Sequence, residues 1–183
     1  MSSGDSLRES AVFNLSDAVT MIVDDSPFSL TLTSNALSGF GIRPAFAVGT
    51  GAEAKRILQD KTIDLLIVDT DMPDIDGYEL VRWLRRSNPN PNAFTPVIMT
   101  ASHIRRGRVA EARDCGANFV VTKPFSPTLL LERILWVARD RRPFLEVGDY
   151  LGPDRRFRTE DYDGVERRAD MIRKAAVGTE SAA

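Results

Sequence analysis

From residue 18 onward, short apolar runs alternate with longer stretches in which apolar residues recur at helical spacing. The runs "AVTMIV" (18–23), "RPAFAV" (43–48), "IDLLIVD" (63–69), "TPVIMT" (95–100) and "NFVVT" (118–122) are rich in β-branched residues and read as strands. Between them, "FSLTLTSNALSGFG", "GAEAKRILQD", "GYELVRWLRRS" and "RRGRVAEARDCG" read as helices. A fifth, "SPTLLLERILWVARD" (126–140), is strongly amphipathic. Ser26-Pro27 and Ser126-Pro127 are helix starts, and Gly116 is a helix stop. The asparagine-proline stretch "SNPNPNAFTP" (87–96) reads as a flexible surface loop. Five strands alternating with five helices predict an α/β fold, a doubly wound five-stranded parallel sheet. Nearly unbroken apolar strands suit a sheet covered on both faces.

Ligands on such a sheet sit at the carboxyl ends of the strands. The first strand ends in Asp24-Asp25, the third in Asp69, and the fourth in Thr100-Ala101. The fifth ends just before Lys123-Pro124. Three carboxylates meeting at one point repel one another unless a cation lies between them. Magnesium, with its preference for a few carboxylates, waters and a phosphate oxygen, matches this set. A hydroxyl and an ammonium beside it suit the remaining oxygens of a phosphoryl group.

"IVDDS", "LLIVDTDMPDIDGYEL", "VIMTA" and "VTKPF" together resemble the CheY-like receiver domain of bacterial response regulators over residues 17–140. The spacing Asp69-x-x-Met72-Pro73-x-x-Asp76-Gly77 is the most specific element. The resemblance implies that Asp69 accepts a phosphoryl group from a sensor histidine kinase, a phosphotransfer protein or a small phosphodonor. It implies magnesium ligated directly by Asp25 and Asp69, through water by Asp24, and by the backbone carbonyl of Asp71. Thr100 and Lys123 are implied as contacts to the phosphoryl oxygens. One departure stands out. Receivers usually carry an aromatic residue three positions before the lysine, and here that position is Val120, with Phe119 next to it on the other strand face. The usual aromatic-rotamer switch therefore has no residue to act through.

Composition then narrows the class. The 183 residues carry a net charge of -2, which speaks against a general polyanion binder. One cysteine, Cys115, allows no internal disulfide, and it reads as a small buried residue at a helix end. No signal peptide and no apolar run of membrane-spanning length is legible, so a cytoplasmic protein without membrane insertion is expected. Residues 1–16 and 176–183 are expected to be disordered. No nucleophile–histidine arrangement suggests an enzyme. His103, the sole histidine, reads as exposed and structural, and "HIRRGR" (103–108) as a solvated basic face. Trp83 and Trp136 read as helix residues packed on neighbours.

The segment 141–175 lacks the apolar periodicity of a helix-turn-helix core, so no DNA-binding domain is predicted, and a largely irregular tail is expected. It uses arginine almost to the exclusion of lysine, interleaved with acids and aromatics, which points to planar, bidentate or stacked contacts. Seven letters, "YLGPDRR" (150–156), return as "YDGVERR" (162–168) at an offset of twelve. In such a unit the acid, Asp154 or Glu166, can accept from guanine's Watson–Crick edge. One arginine of Arg155-Arg156 or Arg167-Arg168 can fork onto O6 and N7, and the other can stack or clamp a phosphate. Tyr150, Tyr162 and Phe157 offer stacking faces, and Arg141, Arg142 and Arg158 extend the cationic set. A doubled motif suits a doubled ligand, and cyclic di-GMP has two guanines and two phosphates. "RRPFLEVGDYLGPDRRFR" after a receiver also resembles the arginine-rich extension of the CheY-like cyclic di-GMP effectors, the Cle group. That resemblance implies docking on a protein target, the flagellar switch, at the flagellar base. Against it stand an inert, charge-balanced tail on a stand-alone phosphoryl-accepting receiver, and a tail strapped back onto the acidic pocket.

Overall fold

The structure is a computed structural model that describes residues 15–87, 90–102, 111, 114–140, 142–148 and 150–155. Five parallel strands, β1 (Thr20–Val23), β2 (Pro44–Val48), β3 (Leu65–Asp69), β4 (Val97–Ala101) and β5 (Phe119–Thr122), form one sheet in the order β2-β1-β3-β4-β5. The chain reverses direction across the sheet at β1, so the cleft above β1 and β3 is where this topology places ligands.

Among the described residues four α-helices cover the sheet: α1 (Pro27–Ser38), α2 (Gly51–Asp60), α3 (Gly77–Arg86) and α4 (Pro127–Ala138). Their starts were legible because the caps are local. Ser26 Oγ accepts from Ser29 N–H, Thr50 Oγ1 from Glu53 N–H, Asp76 from Tyr78 N–H and Ser126 Oγ from Leu129 N–H. The helix expected over 105–116 falls mostly outside the described residues, as does His103.

Each sheet face carries its own core. Met21, Val23, Leu66, Val68, Val97 and Met99 pack with α2 and α3, while Ile22, Leu65, Ile67, Ile98 and Val121 pack with α1 and α4. The alternation along β5 sorts its residues the same way: Val120 meets the first cluster and Phe119 the second, edge-on to Trp136 at 5.5 Å between centroids. The two faces expected for these residues are the ones observed. Cys115 is buried as expected, and burial pushes its thiol up to about 11.

Two stretches differ from expectation. Residues 90–96 are not loose. Pro91–Phe94 forms a 3-10 turn, and Asn92, fully buried, donates to Leu58 O and Lys61 O and accepts from Ile63 N–H. Its partners lie about thirty positions earlier in the chain (29 to 34), beyond what a local pattern can report.

The described part of the tail is not irregular either. β6 (Phe144–Val147) and β7 (Tyr150–Pro153) form an antiparallel hairpin turned at Gly148, whose φ is +59°. The hairpin docks where two glycines touch. A Cβ on Gly152 would stand 2.7 Å from Gly116 Cα, and one on Gly116 would stand 2.5 Å from the Leu151 carbonyl. Isolated hairpins this short are marginal in water, so this one depends on its receiver-side partners. Its strands of four residues, one holding Gly152 and Pro153, carry no alternating pattern that would announce it.

Candidate phosphoacceptor pocket

The pocket is built at the carboxyl ends of β1, β3, β4 and β5. Asp24 follows β1, Asp69 closes β3, and Asp69 and Thr100 are opposite each other in the β3–β4 register. Lys123 follows β5, its N–H bonded to Ala101 O. Asp24 and Asp69 are only 3% and 4% exposed. Parallel strands of matched length therefore bring four chain-distant residues to one rim.

The backbone around Asp69 explains the acidic motif that follows it. Gly77, the first residue of α3, lies so close that a Cβ there would sit 2.0 Å from the Asp69 carbonyl. Only glycine allows this approach, which lets Gly77 N–H donate to Thr70 O and lets Asp76 cap the helix. The β3–α3 connection is thereby pulled over the pocket.

Inside, the Lys123 ammonium bridges the two acids, 2.6 Å from Asp24 Oδ2 and 2.5 Å from Asp69 Oδ1. The Thr100 hydroxyl donates to Asp69 Oδ1 at 3.4 Å, and Asp71 N–H donates to Asp69 Oδ2 at 2.9 Å. Ser26 N–H holds the second oxygen of Asp24. Burial pushes the Asp24 carboxyl up from its ordinary value, and the Lys123 hydrogen bond only partly offsets this. Burial pulls Lys123 down, but its hydrogen bonds to Asp24 and Asp69 outweigh it and leave the ammonium above its ordinary value. The lysine is thus firmly charged, and donors from Lys123, Thr100 and Asp71 orient the Asp69 carboxylate.

Asp24, Asp69, Thr100 and Lys123 are brought together. Asp25 and Asp71 lie at the same rim with exposed side chains. Among the described residues no three acids stand at ion-holding spacing. The two buried acids are instead bridged by Lys123. The donors are hard oxygens that face a cation here, and a hard divalent ion fits their chemistry.

The tail residues are placed only in part. Arg142 forks onto Asp140 at 2.6–3.0 Å, donates to Asp154 O and lies 4.9 Å from the Trp136 ring centroid. Arg155 stacks on Tyr150 at 3.9 Å and pairs with Asp114 at 3.1 Å. Tyr150 Oη donates to Pro153 O. Arg141, Arg156, Phe157, Arg158, Tyr162, Glu166, Arg167 and Arg168 lie outside the described residues.

One residue the sequence reading passed over is Arg85, only 2% exposed. Its Nε donates to Gly116 O, and its Nη1 to Ala93 O and Thr95 O. A signal existed: with Tyr78 and Val81 it shares the core-facing side of α3, where an arginine is out of place.

A doubly wound sheet with a lysine-bridged acid pair beside a strand-end threonine is the arrangement of a receiver-type signalling domain. The response regulator receiver domain family matches residues 20–135, more than half of the chain, and the protein belongs to that family. The probable chemotaxis protein CheY of Rhizobium etli is 35% identical over 106 residues, covering 58% of this chain and 81% of that protein. The transcriptional regulatory protein GltR of Pseudomonas aeruginosa is 38% identical over 136 residues, and the alignment spans 72% of this chain but 53% of that protein. Among solved structures, the chemotaxis protein CheY4 of Vibrio cholerae superposes with a TM-score of 0.60 at 30% identity, covering 66% of this chain and 98% of that one.

Proposed function

We propose that this receiver is phosphorylated on Asp69 and that its arginine-rich tail captures cyclic di-GMP, both signals being read by a protein partner, the flagellar switch. The observation that carries the first half is the Asp24–Lys123–Asp69 bridge with Thr100 at the same oxygen. A carboxylate oxygen of Asp69 attacks the phosphorus of a phosphohistidine on a sensor kinase or phosphotransfer protein. A P–O bond forms, the P–N bond breaks, and the leaving imidazole takes up a proton. Lys123 and Thr100 then turn from the carboxylate to the new phosphoryl oxygens. Asp24, Asp25, Asp69 and the Asp71 carbonyl are the residues that would hold magnesium. Bound there, the ion supplies positive charge against the phosphoryl oxygens. Among the described residues no helix is long and apolar enough to cross a membrane.

The second half is supported by the repeated tail unit and by the stack of Arg155 on Tyr150, a flat cationic surface at the hairpin's end. Titration of the full chain with cyclic di-GMP by calorimetry tests it, with GMP and cyclic di-AMP as controls. Binding selective for the guanine dinucleotide, and strongly weakened by Arg155→Ala with Arg156→Ala, is expected. Equal binding of the adenine analogue, or none of either, reduces the protein to a phosphoryl-accepting receiver with an inert tail. For that alternative the receiver pocket alone is sufficient. It leaves unexplained why the tail's first unit is held against the receiver.

A further inference from the structure

Between α3 and the hairpin lies an open cavity of about 360 Å³. Its lining includes four guanidinium side chains, Arg82, Arg85 and Arg86 from α3 and Arg155 from the tail, together with Tyr150 and Asp114. We infer that this cavity is an anion pocket that takes a phosphate-bearing ligand, with the receiver's α3 supplying one wall and the hairpin the other.

The argument rests on Arg85. Its guanidinium is buried and tied to three carbonyls, yet its Nη2 has no hydrogen-bond partner. None of its bonds goes to a carboxylate; carbonyl dipoles and the Phe144 ring, 5.1 Å from Cζ, are what it faces. Burying a cation with only neutral partners is costly, and desolvation pulls this guanidinium down to about 10. Held in place by the Ala93, Thr95 and Gly116 carbonyls, this charge lies in the cavity wall and adds fixed positive potential behind the more exposed arginines. Around it the other guanidiniums are only partly committed to acids. Arg82 meets Glu111 at 2.9 Å, and Arg155 meets Asp114 at 3.1 Å, both pairs substantially exposed. Exposed pairs of this kind are weak, so an oxyanion competes with them readily. Asp114 is the carboxylate an incoming phosphate would compete with for Arg155, across the seam between receiver and tail.

Phosphate oxygens fit better than a carboxylate here, because arginine forks match them bidentately and several arginines share one group. The phosphate could belong to a free phosphomonoester or to the diester of a cyclic dinucleotide; the inference holds for either source and does not depend on the tail reading proposed above. It adds to that reading a receiver wall, which makes ligand binding and hairpin docking one event.

The test uses the full chain and follows the Arg85 Nε–Hε resonance by NMR during titration with inorganic phosphate, 5′-GMP and cyclic di-GMP. At least one probe should shift it. Arg82→Ala with Arg86→Ala, confirmed folded by an unchanged amide spectrum elsewhere, should weaken that probe by about tenfold or more. Asp114→Asn should tighten it, since the competing carboxylate is gone. A silent Arg85 resonance with all three probes overturns the pocket. So does undiminished affinity, in the double variant, for whichever probe shifts that resonance. A shift by phosphate or 5′-GMP without any response to the cyclic dinucleotide sustains the pocket while removing the cyclic dinucleotide reading.

Discussion

Replacing Arg85 by methionine tests how the receiver layer beneath the tail hairpin is held together. The substitution keeps much of the stem's volume and deletes the guanidinium. Three hydrogen bonds from a charged donor go with it, to Gly116 O, Ala93 O and Thr95 O. Each is worth about 1.5–3 kcal/mol, so the gross loss is roughly 5–9 kcal/mol. Against this stands the recovered desolvation penalty of an ion with no carboxylate partner, several kcal/mol. A net destabilisation of about 2–4 kcal/mol remains, which for a domain of this size lowers Tm by roughly 5–15 °C. Because these bonds go to neutral carbonyls, the effect should barely change with salt. Arg82→Gln on the same helix removes the exposed Glu111 pair and should cost under about 1 kcal/mol, less still at high salt. Calorimetric melts of both variants at low and high salt make the comparison, with amide exchange read at Ala93–Thr95, Gly116 and Phe144. The reasoning is refuted if Arg85→Met melts with wild type, or if exchange accelerates at Gly116 but the hairpin stays protected.

Asp69→Asn should abolish labelling by acetyl phosphate, and beryllofluoride with magnesium should move the Thr100 and Lys123 amides only when Asp69 is present; labelling of the asparagine variant would remove Asp69 from its role. Gly152→Ala would place a methyl 2.6 Å from Tyr150 Oη and 2.7 Å from Gly116 Cα, so the hairpin should undock and its amides exchange faster, at a cost of about 1–3 kcal/mol. Burial pushes the Asp140 carboxyl up, but the hydrogen bonds from Arg142 outweigh it and hold it below its ordinary 3.8. Its stabilising contribution is therefore present above pH 3.8 and lost as pH falls through the lower folded value. Acid titration should loosen the β6–β7 amides in that window, and Asp140→Asn should remove the transition and lower hairpin protection already at neutral pH. A hairpin whose protection is the same in both proteins would mean that the Arg142 fork does not anchor it.

The apolar rhythm alone settled the sheet, because parallel strands buried on both faces must be continuous apolar runs and their crossovers must be amphipathic. The strand-end site residues followed directly, since Asp24, Asp69, Thr100 and Lys123 each sit within a residue or two of a strand's last position. What they do to one another did not follow. That Lys123 bridges Asp24 and Asp69, and that Asp25 stays exposed at the rim, depends on side-chain directions set by the assembled sheet. The tail was legible as chemistry and illegible as shape. Its arginines, acids and tyrosines pointed to planar, bidentate or stacked contacts, yet the hairpin packs where Gly152 meets Gly116 and Phe144 meets Arg85, both dozens of positions earlier. Local periodicity records the chain's neighbours along itself. Long-range contacts between a glycine pair, or between the buried Arg85 and the Gly116 carbonyl, exist only after the sheet has brought those segments side by side.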